Sequence, residues 1–172
     1  MPSPTTRAAA LLAAAIVPLL VAGCSSGSGT DNRAQADAVT VTDQWVKAAD
    51  TGMSAAFARF TNDSDREVRL VDATGPAAAR MEIHETVDAN GSKTMRPKAG
   101  GLAIPAHGSV TLSPGGDHLM FLDLKAPLRT GSQTPITVKY ADGSAATFTA
   151  QVRDFAGNKE SYTPADSSAH GG

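Results

Sequence analysis

Four residues in the middle of the chain have the types and spacing to hold a soft metal ion: His84, Met95, His118 and Met120. Ten residues separate His84 from Met95, and a single residue separates His118 from Met120. Thioether sulfur is a soft donor that favours Cu(I), and imidazole suits copper generally. Two methionines and two histidines are together neutral, so a monovalent ion suits them better than a divalent one. Zinc favours thiolate, imidazole or carboxylate, and calcium and magnesium favour oxygen. A blue-copper electron-transfer centre needs a thiolate, and the only cysteine, Cys24, lies far upstream. The set therefore points to carrying copper rather than passing electrons. A duller account also fits the spacing: methionine on a strand is often core filler, and a lone histidine at a turn is often a surface residue.

Bringing the four together is a matter of strand parity. Asn90-Gly91 is a strong two-residue hairpin signal. If those two residues are the loop, Thr86 lies opposite Met95, and His84, two residues earlier, shares its face. His84 and Met95 then become diagonal neighbours, about 7–8 Å apart at the backbone. A three-residue loop would put them on opposite faces. His118 and Met120 also share a face, with Leu119 directed into the core. Pro114-Gly115-Gly116 forms a turn just before His118 and places it near a rim, so the expected site is open and lies at the ends of two hairpins.

The rest of the chain supplies strands for this arrangement. Short segments rich in Val, Thr, Ile and Phe are punctuated by Gly, Pro, Asn and Asp. The expected strands are 39–46, 54–61, 68–73, 80–87, 93–97, 109–112, 118–124, 136–140 and 145–152. The last has the cleanest period of two, with Ala146, Phe148, Ala150 and Val152 on one face. Asp142-Gly143 marks the hairpin before it. Eight or nine such strands without a long helical period predict an all-β antiparallel sandwich. Trp45 and Phe148 are expected in its core. Glu82 and Glu85 flank His84 and are candidates to orient it. His107 is expected in an exposed turn, and His170 lies near the C-terminus.

The ends of the chain read differently. Arg7 precedes an apolar run of 15 residues, Ala8 to Ala22, interrupted by Pro18. A spanning helix needs about 20 apolar residues, so residues 1–23 are expected to be a secretion signal. Val21-Ala22-Gly23-Cys24 resembles a bacterial lipoprotein signal, with Cys24 the lipidated residue. Residues 24–37 are expected to be a flexible tether, 38–155 the domain, and 156–172 a disordered tail. With a single cysteine the domain has no internal disulfide. The chain carries 15 Lys+Arg and 17 Asp+Glu. Without Arg7 the balance is 14 against 17, about −3, and no basic cluster is present, which excludes a general nucleic-acid binder. Neither a Gly-x-Ser-x-Gly elbow nor a His-Glu-x-x-His motif is present, so no hydrolase, and no enzyme, is expected. A metal-free adhesion sandwich and a copper-storage protein remain as rivals.

The run Met81-Glu82-Ile83-His84-Glu85, with Met95-Arg96-Pro97, Ile104-Pro105-Ala106 and Leu112 to Met120 (LSPGGDHLM), resembles the PCuAC-type periplasmic copper chaperones. Gln44-Trp45-Val46 and Phe60-Thr61-Asn62 extend the resemblance, which covers about Val39 to Val152. It implies a cupredoxin-like β-sandwich whose Cu(I) ligands match His84, Met95, His118 and Met120. It also implies delivery to the binuclear copper centre of cytochrome c oxidase, in subunit 2, often beside a thiol-bearing partner chaperone, by a carrier expected to be monomeric and anchored outside the cytoplasm. Between Met95 and His118 lie 22 residues, one more than in the family pattern, and the extra one is expected at Gly100-Gly101. Many relatives have a second histidine where this chain has Thr86. The tail holds only His170, so a Cu(II)-binding tail is not implied. Binding is expected to weaken as pH falls through about 6.5, the value of a free histidine, because a ligating imidazole must be neutral.

Overall fold

A computed structural model describes residues 32–89 and 91–157, together with the backbone of 161–162. The elements in chain order are a 3-10 turn (Gln35–Ala38) and strands β1 (Val39–Lys47), β2 (Ser54–Asn62), β3 (Val68–Thr74), β4 (Ala78–Ala89), β5 (Ser92–Pro97), β6 (Leu102–Ile104), β7 (Ser109–Leu112), β8 (His118–Leu124), β9 (Gln133–Tyr140), β10 (Ala145–Arg153) and β11 (Ser161–Tyr162). All nine expected strands are present. The spacing gave no sign of β6 or β11. Hydrogen bonding runs in the order β11-β5-β4-β8-β2-β1-β10-β9-β3-β6, with β7 joined to β2. The order folds back on itself, so that Met81, Ile83, Leu119 and Phe121 of one half pack in one core with Leu70, Ile136, Val138, Ala150 and Val152 of the other. This is the cupredoxin-like sandwich.

Two pairings depart from the antiparallel expectation. β1 runs parallel to β10, with Trp45 beside Gln151, and β11 runs parallel to β5. Neither partner follows the other directly in sequence, so no hairpin fixes the direction and no local signal announces it. β11 places an element inside the tail expected to have none. At the other end, Gln35 and Ala36, assigned to the flexible tether, are docked: their backbone N–H groups donate to Asp142 Oδ2 (2.7 Å) and Ser144 Oγ (3.0 Å). Cys24 and His170 lie outside the described residues.

Turn chemistry sets the register next to the candidate donors. Ala89 pairs with Ser92, so the β4–β5 loop has two residues, and Gly91 has φ +80°. Left-handed φ is reached most readily by glycine, which explains the residue type there. Gly100 and Gly101, where the extra residue between Met95 and His118 is expected, lie in a loop with φ +77° and +74°. A Cβ on Gly101 would collide with the Leu70 carbonyl.

Tyr140 is buried in the core beside Leu70. Among the described residues nothing hydrogen bonds its hydroxyl. Burial, and secondarily the charge of Asp142, push its pKa up to about 12. The neutral phenol is thus the form that the fold retains. Stability that depends on it is present below the unfolded value of 10 and is lost as pH rises from there to about 12. Tyr140→Phe removes a buried polar atom that has no partner, and is expected to stabilise the domain by about 1 kcal/mol. It should also flatten the loss of stability above pH 10. Urea unfolding at pH 7 and pH 11 checks both.

Candidate metal centre

The candidate donors come from three adjacent strands. β4 pairs with β8 so that His84 lies opposite His118 and Glu82 opposite Met120. β4 pairs with β5 so that Thr86 lies opposite Met95, the register that a two-residue loop at Asn90-Gly91 requires. Side chains two apart on a strand, and directly opposite across a pair, share a face. His84, Met95, His118 and Met120 therefore all project from one face of β5-β4-β8. Met81, Ile83, Leu119 and Phe121 alternate with them and fill the main core.

The face is not the open rim expected from the sequence. His84 and His118 are both 0% exposed. Met95 and Met120 are buried in a second apolar cluster with Leu122. The cover is aromatic. The Phe57 ring centroid lies 6.3 Å from that of His118, Trp45 lies 4.5 Å from Phe57, and Phe155 lies 5.4 Å from Trp45. Trp45 is half-buried over this face rather than in the core, whereas Phe148 packs against the core as expected. A β-bulge accounts for the placement of Trp45. Up to Thr42↔Arg59 the β1–β2 ladder is regular, and it resumes one residue out of step at Trp45↔Phe57. Asp43 takes up the extra residue with φ +54°. Without the bulge Gln44 would face Phe57.

Hydrogen bonds orient both imidazoles. Glu82 Oε2 lies 2.7 Å from His84 Nε2, and Arg80 holds the other carboxylate oxygen at 2.9 Å. The Gly116 carbonyl lies 3.0 Å from His118 Nδ1 and also accepts from the Thr86 hydroxyl at 3.1 Å. These contacts engage one nitrogen of each ring. The other nitrogens, His84 Nδ1 and His118 Nε2, are buried. The ring centroids stand 5.6 Å apart. Among the described residues no three His, Cys, Asp or Glu side chains cluster as a metal-binding group. The company of the two imidazoles is thioether and aromatic, the chemistry of a soft site.

Glu85 faces away from His84 and joins a different network. Arg96 donates to it at 2.9 Å and Lys98 at 3.2 Å, and Lys98 also reaches Asp117 at 3.3 Å. The network clasps β4, β5 and the turn before His118 on the reverse of the donor face. Hydrogen bonds from Arg96 and then Lys98 hold the Glu85 pKa below the usual carboxylate range. Burial alone would lower the Lys98 pKa, but Glu85 and Asp117 outweigh it and raise it. His107, with φ +52°, sits exposed in its turn beside Asp65, 2.7 Å away.

Fold and donor set together define a PCuAC-type domain. Residues 39–152 match the family model of the LpqE-like lipoproteins. The chain belongs to that family. It is 39% identical over 161 residues to the Leifsonia xyli subsp. xyli lipoprotein Lxx21020, covering 92% of this chain and 97% of that one. It is 32% identical to DR1885 of Deinococcus radiodurans, solved in its Cu(I) form, over 71% of this chain and 84% of that one with a TM-score of 0.52. The copper-bound PCuAC domain of PmoF2 superposes with a TM-score of 0.57, over 68% of this chain and 93% of that one, at 18% identity. That last likeness is one of fold.

A consequence for acid stability follows from the clasp. A depressed Glu85 pKa contributes stability that is present above its unfolded value, near 4.5, and is lost as pH falls through the lower folded value. The pairs are partly exposed, so their worth is under about 1 kcal/mol each. Glu85→Gln should unfold at lower urea than the unmodified chain at pH 7, with the gap closing below pH 4. A gap that stays constant down to pH 3 would mean the carboxylate charge is not what holds the clasp.

Proposed function

We propose that His84, Met95, His118 and Met120 bind one Cu(I) ion, and that the chain is an extracytoplasmic copper carrier held to the outer face of the cell membrane by lipid on Cys24. The observation that carries this reading is the register that turns all four side chains to one face, with His84 directly opposite His118. Support comes from the donor chemistry and from DR1885, a relative solved with Cu(I). In this reading His84 Nδ1 and His118 Nε2 take the ion, because Glu82 and the Gly116 carbonyl engage the opposite nitrogens. Transfer is ligand exchange, with no redox or covalent step. The acceptor class is an extracytoplasmic copper protein, with subunit 2 of cytochrome c oxidase as the specific candidate and a thiol-bearing chaperone as a further partner. Burial of both imidazoles favours retention as well, which is what a storage protein needs; transfer to an acceptor separates the two roles.

The test is an anaerobic Cu(I) titration against a competing chelator, using the chain from Ser25 onward so that the Cys24 thiol does not compete. His84→Ala and Met120→Leu run in parallel, the second replacing a buried side chain by one of similar volume. One equivalent is expected to bind the unmodified chain, with competition lost in both variants while circular dichroism stays unchanged. Glu82→Gln is expected to weaken binding about 10–100-fold, the usual cost of losing a partner that orients a ligating histidine. Copper binding indifferent to all three substitutions would return the chain to a metal-free surface sandwich.

A further inference from the structure

A buried set of donors raises the question of how an ion enters. The only methionine among the described residues that is substantially exposed is Met53, at 44%. It immediately precedes β2, whose Ser54 pairs with Phe121 and whose Ala55 pairs with Met120. On its other side, past an irregularity at Asp123 (φ +56°), Leu124 N–H donates to the Gly52 carbonyl at 3.0 Å. Met53 is therefore held between two tied points. Ser54 shares the face of Phe121, which lies in the main core. By alternation Met53 shares the face of Ala55 and Met120 instead. It stands diagonal to Met120 across the β2–β8 pair, the relation that His84 has to Met95 across β4–β5, at about 7–8 Å between backbones. Alanine at position 55 leaves the space between Met53 and Phe57 clear of a large side chain.

We propose that Met53 is an outer thioether donor, through which Cu(I) enters and leaves the inner set by way of Met120. This rests on the Cu(I) reading above and adds a residue to it. A soft ion passing from solvent into a site whose donors are almost fully buried would otherwise shed its outside ligands before gaining inside ones. A thioether at the surface, diagonal to a buried thioether, lets one bond form before the last one breaks. Thioethers do not titrate, so this outer donor is itself independent of pH.

The chain after the leader has four methionines, and their methyl groups can be followed separately by 13C-methyl NMR. Met81, buried in the main core, is the internal control. During anaerobic addition of Cu(I), Met95 and Met120 are expected to move up to one equivalent and Met53 beyond it, with Met81 fixed. Met53→Leu is expected to leave the equilibrium affinity unchanged but slow Cu(I) transfer to a chelator about tenfold, the rate equivalent of about 1.4 kcal/mol in the exchange transition state. A Met53 methyl that stays fixed through two equivalents, or a Met53→Leu variant that exchanges at the unmodified rate, overturns the proposal. Fixed Met95 and Met120 methyls would instead overturn the Cu(I) site on which it rests.

Discussion

The pairing of His84 with His118 across β4 and β8 is the constraint on which the rest of this structure depends. Around this pair both strands carry buried side chains on both faces, and the faces are chemically different. Met81, Ile83, Leu119 and Phe121 enter an apolar core. His84, His118 and Met120 enter a second, smaller interior. A slip of one residue in either strand would exchange its two sets. Imidazole would then sit in the main core and aliphatic side chains under Trp45 and Phe57. The clasp of Arg96, Glu85, Lys98 and Asp117 bears on that register, because it ties β4 and β5 to the turn that begins β8.

Burying two imidazoles has a cost that the neighbouring groups must offset. A polar group taken from water without a hydrogen bond costs on the order of 1–3 kcal/mol in protein data. Glu82 and the Gly116 carbonyl each supply one bond, and each is itself anchored, Glu82 by Arg80 and Gly116 by its second donor, Thr86. The rings are thereby fixed in orientation. Position 86 suits this role: its hydroxyl locks the turn ahead of His118, where an imidazole would add a further donor nitrogen instead.

Much of this was legible from the residues. Asn90-Gly91 gave the loop length, loop length gave parity, and parity placed His84 and Met95 together. His-x-Met placed the second pair by period two alone. The strands with clear alternation or clear punctuation were read to within a few residues. What escaped has physical reasons. β6 has three residues and no period to detect. The parallel pairing of β1 with β10 joins segments about a hundred residues apart, and nothing local encodes its direction. The burial of the site escaped because it depends on a bulge at Asp43, a residue type that tolerates left-handed backbone but does not announce it. Only that bulge turns Trp45, rather than Gln44, over Phe57. The turn before His118 implied a rim; the long-range packing of β1 closed it.

The dry surroundings also bear on which ion the proposed site would favour. In a poorly solvated interior, net charge is expensive and a neutral donor set leaves an ion's charge uncompensated. Here the nearest anionic group is Glu82, one hydrogen bond removed from the His84 ring and partly neutralised by Arg80. A single positive charge placed among the two imidazoles and two thioethers is matched in part through that bond. A second positive charge would be matched poorly by the other carboxylates of β4: Glu85 is turned away and held by Arg96 and Lys98, and Asp88, although on the same face, lies exposed near the end of the strand. Charge and softness thus point the same way, to a monovalent copper ion. In the proposed site, the turning away of Glu85 from the His84 face would contribute to selectivity alongside the four side chains themselves.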